Sequence, residues 1–237
     1  MGRSPVTPTR SCASGRRSRA SRTARYERKD GFYRRAKEEG LRSRAAFKLE
    51  DLLRRAPPLR RGARVLDLGC WPGSWLQVLS ERVGPEGRVV GVDLAPTDFV
   101  AANVVVLALD MTEPGSAERI ASALGGSADA VLCDAAPKLT GIRDLDLAAI
   151  EEIWAAALAI ALATLAPSGF LIVKGFPGQE SDLFRKQLRS VFARVDEVRP
   201  EGKRSTSKEF YWVASSRRDA ARGSGSPSRM RSEKSGP

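Results

Sequence analysis

Four charged residues close four apolar runs, and their types and spacing could do chemistry. Residues 88–92 end in Asp93, residues 103–109 in Asp110, residues 128–133 in Asp134 and residues 169–173 in Lys174. Short apolar runs bounded by turn residues read as strands covered on both faces. In an open parallel sheet, ligands bind at the carboxyl ends of such strands. An upstream stretch, ARVLDLGCWPGSW at residues 63–75, reads as a first strand (64–68) that breaks at Gly69 into a tight loop and re-emerges as a helix near Ser74. Gly69 and Gly73 give that loop permissive dihedrals and let a ligand approach without a Cβ in the way. The G-x-x-x-G spacing is not the G-x-G-x-x-G that cradles a pyrophosphate, and no Gly-Lys-Ser/Thr follows to make a P-loop.

Asp93 lies about 20 residues past the glycine loop, where an acid accepts hydrogen bonds from the two hydroxyls of a ribose. Asp110 suits an adenine amino group. Acids without a phosphate-binding loop fit a nucleoside that lacks a pyrophosphate. S-adenosylmethionine is the common example, and its positive sulfonium suits an acidic rim, with Trp75 packing against it or filling core. Lys174 neighbours Asp134, and Lys48 joins them if the early helix folds onto the sheet. Glu209, which opens the last strand, completes a Lys-Asp-Lys-Glu cluster. The chain has no histidine, which removes histidine triads, histidine bases and histidine metal sites. Cys12, Cys70 and Cys133 have no ligand-like spacing, so neither a metal site nor a disulfide framework is expected, and a reducing compartment is.

The elements that must position these residues alternate. A helix over 41–55 carries Ala45, Leu49, Leu52 and Leu53 at helical spacing behind Ser43 as N-cap. Helical segments near 116–124, 145–165 and 181–192 separate the strands, which argues for right-handed βαβ units in one doubly wound domain. Residues 191–198 and 210–214 read as two further strands joined directly through GKRSTSKE, an antiparallel pair at one edge. The 40 Lys+Arg against 28 Asp+Glu, net +12, favours a polyanionic partner. Much of the excess lies at the ends. Residues 1–25 hold seven arginines and no acid, and residues 215–237 are rich in Arg, Ser and Gly, so both read as disordered basic tails around a domain at 26–214. Within that domain, Tyr26, Arg28, Lys29, Phe32, Tyr33, Arg34, Arg35 and Lys37 interleave charge with rings, a pattern that suits nucleic acid. No apolar run of about 18 residues exists, so no membrane span is expected.

SRAAFKL, LDLGCWPGSW, VDLAP, LCDAAP, IVKGF and SKEFYWVA, in that order and spacing, resemble the FtsJ/RrmJ (RlmE) family of ribose 2′-O-methyltransferases over about residues 26–214. The resemblance implies a Rossmann-like class I fold dependent on S-adenosylmethionine, mostly parallel and doubly wound with an antiparallel edge hairpin. It implies a catalytic tetrad of Lys48, Asp134, Lys174 and Glu209, with Lys174 as proton acceptor. It also implies cofactor contacts at Gly73, Trp75, Asp93, Asp110 and Asp134, and no metal. Bacterial members methylate a uridine 2′-oxygen in the A-loop of 23S rRNA, so the implied partner is large-subunit rRNA within the 50S subunit, and the implied protein is a cytoplasmic monomer. Alternatives of the same chemistry are a tRNA or a mitochondrial rRNA as target. A non-catalytic RNA-binding ribosome-assembly factor is the alternative of another class. A free lysine holds its proton to about pH 10.4, so Lys174 acts as base only where its surroundings weaken that hold. Otherwise it stays charged and steers a hydroxyl that loses its proton late. The family's loop usually reads A-A-P-G-G-W, and this chain departs from it at Cys70, Trp71 and Ser74. After Asp134, Lys138 stands where a small or polar residue is usual.

Overall fold

A computed structural model of the chain describes residues 40–43, 45–200 and 209–218, together with Gly2 and Glu38. The readings of both tails beyond these bounds, of the basic aromatic segment at 26–37 and of the 201–208 connection fall outside the described residues. Helix α1 (Ala45–Arg55) buries Ala46, Leu49, Leu52 and Leu53 on one stripe. Ser43 caps it, its Oγ accepting the Ala45 N–H at 3.1 Å. Strand β1 (Arg64–Leu68) leads through the glycine loop into α2 (Ser74–Val83). There follow β2 (Arg88–Asp93), β3 (Val104–Ala108), α3 (Ser116–Leu124), β4 (Ala128–Cys133), α4 (Arg143–Thr164), β5 (Leu165–Gly175), α5 (Gln179–Val191), β6 (Phe192–Val198) and β7 (Phe210–Arg217).

The strands form one seven-stranded sheet in the order β3-β2-β1-β4-β5-β7-β6. The first five are parallel, while β7 runs antiparallel to both β5 and β6. The expected edge pair is therefore present, with its second strand inserted between β5 and β6. Ser215 to Arg217 continue β7, so the expected carboxyl-terminal tail begins later than residue 215. The backbone there keeps its ladder to Phe192 and Arg194, which sets the strand end where composition did not.

Side chains alternate between two cores. Val65, Ala130, Leu132, Phe170, Ile172, Tyr211 and Val213 pack with α1 and α2 on one face. Leu66, Leu68, Val131, Cys133, Leu171, Val173, Phe210 and Trp212 pack with α3, α4 and α5 on the other. This period of two is what a strand buried on both sides requires. Helix α4 is long and apolar enough to cross a membrane by length and composition, which the sequence reading did not register. Ile150, Trp154, Ala157, Ile160 and Ala161 form its buried stripe at helical spacing, and Trp154 stacks on Phe184 and meets Trp212 edge-on. This stripe packs into the core, while Leu145, Ala148, Ala155, Ala159 and Ala163 of the same helix are exposed.

Candidate active site

The chain runs outward from β1 to β3 and then returns to place β4 on the other side of β1. A crevice at the carboxyl ends of these two strands is the binding position of a doubly wound sheet. Here it opens into a cavity of about 540 Å³, in the range of small-molecule sites. Asp93, Asp110 and Asp134 supply its acidic wall, and Val92, Leu109, Met111 and Ile153 supply apolar surface. Asp93 closes β2 and is fixed by its own chain. Its Oδ2 accepts the Trp71 N–H and its Oδ1 the Ala95 N–H, each at 2.9 Å. Asp110 Oδ1 accepts the Thr112 amide at 2.9 Å and hydroxyl at 2.7 Å. An ionised carboxyl offers about four lone-pair positions, so both keep capacity for ligand hydroxyls or amines.

Asp134 belongs to the cavity wall and also to a second group of residues. Its Oδ1 lies 2.8 Å from Lys174 Nζ and accepts the Tyr211 hydroxyl at 2.5 Å. Its Oδ2 stands 3.7 Å from Lys48 Nζ. Lys174 Nζ donates again to the Asp134 carbonyl at 3.0 Å. Lys48 Nζ reaches Glu209 Oε1 at 2.9 Å and donates to Tyr211 Oη at 2.9 Å. The four residues of the implied tetrad are thus brought together, with Tyr211 bridging them. Alternation explains the assembly. Asp134 continues the face of Ala130 and Leu132, Lys174 that of Phe170 and Ile172, and Glu209 that of Tyr211 and Val213. Helix α1 covers this face and turns Lys48 onto it. The register pairs Lys174 directly with Tyr211. Tyr211 was missed by sequence reasoning, although its position two residues beyond Glu209 in a strand marks it.

The electrostatics follow from this packing. Burial pushes the Asp134 carboxyl up, but Lys174 and Lys48 with the hydrogen bonds from Lys174 and Tyr211 outweigh it and hold the group below its ordinary range. Burial, the adjacent Asp134 charge and the bond to it keep the Tyr211 phenol well above its usual value, so it remains a donor. Burial pushes the Cys133 thiol up to about 12 and raises that of Cys70 as well. Neither is a nucleophile at neutral pH. Asp67 is fully buried on the face of the tetrad, and neither of its oxygens meets a hydrogen-bond donor among the described residues. Burial, then Asp134 and Asp93, hold its carboxyl well above the ordinary range.

Two expected cofactor contacts lie elsewhere. Trp75 is buried, donates its indole N–H to the Ala45 carbonyl at 2.9 Å and tilts against Tyr211 at 6.2 Å between centroids. It fills core beneath the tetrad. Gly73 has φ 96°, and a Cβ there would meet Thr97 Oγ1 at 2.7 Å and Phe99 Cβ at 2.8 Å. Its closeness serves the neighbouring loop. Neither residue lines the cavity.

S-adenosylmethionine fits the residues present on the chemistry of the donor set. Four carboxylates, those of Asp93, Asp110, Asp134 and Glu152, face a cavity of nucleoside size, and apolar side chains complete the wall. Among solved structures, a ribosomal RNA methyltransferase assignment belongs to a Plasmodium falciparum protein that is 26% identical, with a TM-score of 0.63 over 74% of this chain and 98% of that one. Among curated relatives, "Ribosomal RNA large subunit methyltransferase E" of Anaeromyxobacter sp. (strain Fw109-5) is 42% identical over 83% of this chain and 71% of its own length. The Myxococcus xanthus protein of the same name is 40% identical over 81% of this chain and 91% of its own. The FtsJ-like methyltransferase family model matches residues 41–217, from the segment ahead of α1 to the last residue of β7. With the tetrad, the acidic cavity and the sheet order all inside that span, the chain belongs to the FtsJ-like methyltransferase family.

Proposed function

We propose that this protein methylates a ribose 2′-oxygen of large-subunit ribosomal RNA, at a uridine in the A-loop of 23S rRNA within the 50S subunit, with S-adenosylmethionine as methyl donor. One observation carries the reading: Asp134 is at once a wall of the acidic cavity and the partner of Lys174 and Lys48. A donor held in that cavity and an acceptor held by the lysines therefore meet at one carboxylate. The names of the relatives support the RNA target.

When bound, S-adenosylmethionine supplies an electrophilic methyl group on a cationic sulfur. The chain's own residues do the rest. Asp93 accepts the hydroxyls of the donor's ribose, Asp110 takes its amino group, and Gly73 and Trp75 act through the loop and core that hold these positions. Lys174 Nζ removes the proton from the RNA hydroxyl. Its bonds to the Asp134 carboxylate and carbonyl, at 2.8 and 3.0 Å, fix Nζ and leave its remaining position for the hydroxyl. Asp134 orients Nζ. Lys48 and Glu209 hold the acceptor ribose, and Tyr211 fixes both Lys48 and Asp134. Holding reactants in line can account for ~7 kcal/mol of barrier or more, with proton removal adding about 10²- to 10⁴-fold in rate.

The test is transfer of labelled methyl from S-adenosylmethionine to 50S subunits that lack A-loop methylation, with free 23S rRNA and tRNA alongside. Label mapping to a 2′-oxygen of the A-loop is the expected result. Label confined to tRNA would leave the chemistry and overturn the target. Cofactor binding with no label in any RNA would overturn the enzymatic reading in favour of an assembly factor.

A further inference from the structure

The chain has four tryptophans. Three are buried, Trp75 and Trp154 at 4% exposure and Trp212 at 1%, whereas Trp71 is 60% exposed. Trp71 stands on the rim of the acidic cavity, and its backbone is tied on both sides. Its N–H is held by Asp93. The carbonyl of Pro72 accepts from Thr97 Oγ1 at 3.1 Å and Arg42 Nε at 3.3 Å. Arg42 is in turn paired with Asp98 and lies 5.8 Å over the Phe99 ring. Most of this indole is in water although the loop beneath it is fixed, so it neither fills core nor hangs on a free segment. The loop after β4, on the neighbouring strand, is tied in the same way. Asp146 accepts from the Thr140 amide and hydroxyl at 2.7 Å each and from the Gly141 amide at 3.1 Å. That loop brings Lys138 to the cavity wall and leaves Leu139 exposed beside it.

We infer that Trp71 is a stacking platform for an unpaired nucleobase of the RNA strand, beside the nucleotide that receives the methyl group. This rests on the RNA reading above and adds a residue to it. An RNA strand that reaches Lys174 meets the outer edge of the cavity first, since Asp93, Asp110, Asp134 and Glu152 on its wall repel phosphate. At that rim the chain presents one aromatic face and one cation, Lys138, which is the pairing that single strands are held by: stacking for bases, positive charge for the backbone. Because every base has a π-face, such a platform adds affinity without reading sequence.

The experiment uses iodide quenching of tryptophan fluorescence, which reports Trp71 because the other three are buried. S-adenosylhomocysteine alone should leave the quenchable fraction in place, and adding the A-loop hairpin of 23S rRNA to the loaded protein should remove it. Trp71→Ala should weaken binding of that hairpin about tenfold, with Trp71→Phe recovering most of the loss and S-adenosylhomocysteine affinity changing by no more than about twofold. An unchanged thermal midpoint of both variants shows that the fold is kept. Screening by S-adenosylhomocysteine alone, or loss of its affinity without loss of RNA affinity, overturns the platform and makes Trp71 a cofactor roof. RNA that is bound and methylated while Trp71 stays open to iodide overturns the platform and leaves the proposed function standing. RNA that neither binds nor accepts methyl removes both.

Discussion

At the scale of single residues, Tyr211 joins the two halves of the tetrad. It accepts from Lys48 and donates to Asp134, so one hydroxyl fixes the acceptor-holding side and the proton-handling side at once. Its bond is among the causes that keep Asp134 below its ordinary range. Removing the hydroxyl must therefore raise the Asp134 value. Tyr211→Phe is expected to lower kcat about 10- to 100-fold, the worth of a hydrogen bond to a charged group. Titration of the Asp134 carboxyl by its carbon NMR shift checks the raised value. A lower rate with an unmoved carboxyl titration would mean that Tyr211 only packs. Asp93, Asp110, Asp134 and Lys174 were legible because each follows an apolar run and the sheet brings strand ends together. Lys48 was not legible from its own surroundings, since a lysine on a helix is ordinarily a solvated charge. Only the order of motifs along the chain singled it out, and only packing of α1 shows why it is buried.

At the scale of elements, the loops between strands carry the site, and glycine matters where two of them touch. Gly69 has φ 82°, and a Cβ there would fall 2.6 Å from Ala135 Cα and N. The loop after β1 thus packs directly on the loop after β4, the pair that frames the crevice. Gly69 also lines the cavity, where the sequence suggested that it admits a ligand, and its second neighbour is backbone, which no apolar pattern reveals. Gly62 supplies the control, with φ 80° and open space around its Cβ position. Gly62→Ala should cost about 1–2 kcal/mol from its left-handed backbone alone. Gly69→Ala should cost ~3 kcal/mol or more, because backbone must also move. Denaturant unfolding of the two variants decides it, and equal losses would contradict the contact. The parallel order of β1 to β5 was legible from their alternation with helices. The insertion of β7 between β5 and β6 was not, because two strands joined in sequence give no sign of which one a third strand will prefer.

At the scale of the whole molecule, the sheet keeps the Asp67 carboxyl in its interior with no hydrogen-bond partner among the described residues. Asp67 is held well above the ordinary carboxyl range by burial, so it is protonated in the fold where the unfolded chain is ionised. For such a group stability is full below the unfolded value of about 3.9 and falls as pH rises through and above it. Asp134 has the opposite sign, its stabilisation present above that value and lost as pH falls through its lowered folded one. Asp67→Asn should therefore raise the thermal midpoint at pH 7 by at least ~3 °C, with the gain fading toward pH 4. A gain of the same size at both values would contradict the assignment. The most direct test of the account concerns Lys174, which is proposed to accept the hydroxyl proton. In single turnovers of RNA with labelled S-adenosylmethionine, Lys174→Ala should lose at least about 10²-fold in methyl transfer, while cofactor affinity by calorimetry stays within about twofold. Equal loss of transfer and cofactor affinity would contradict the role given to Lys174 and reduce the cluster around Asp134 to scaffolding for the cofactor site.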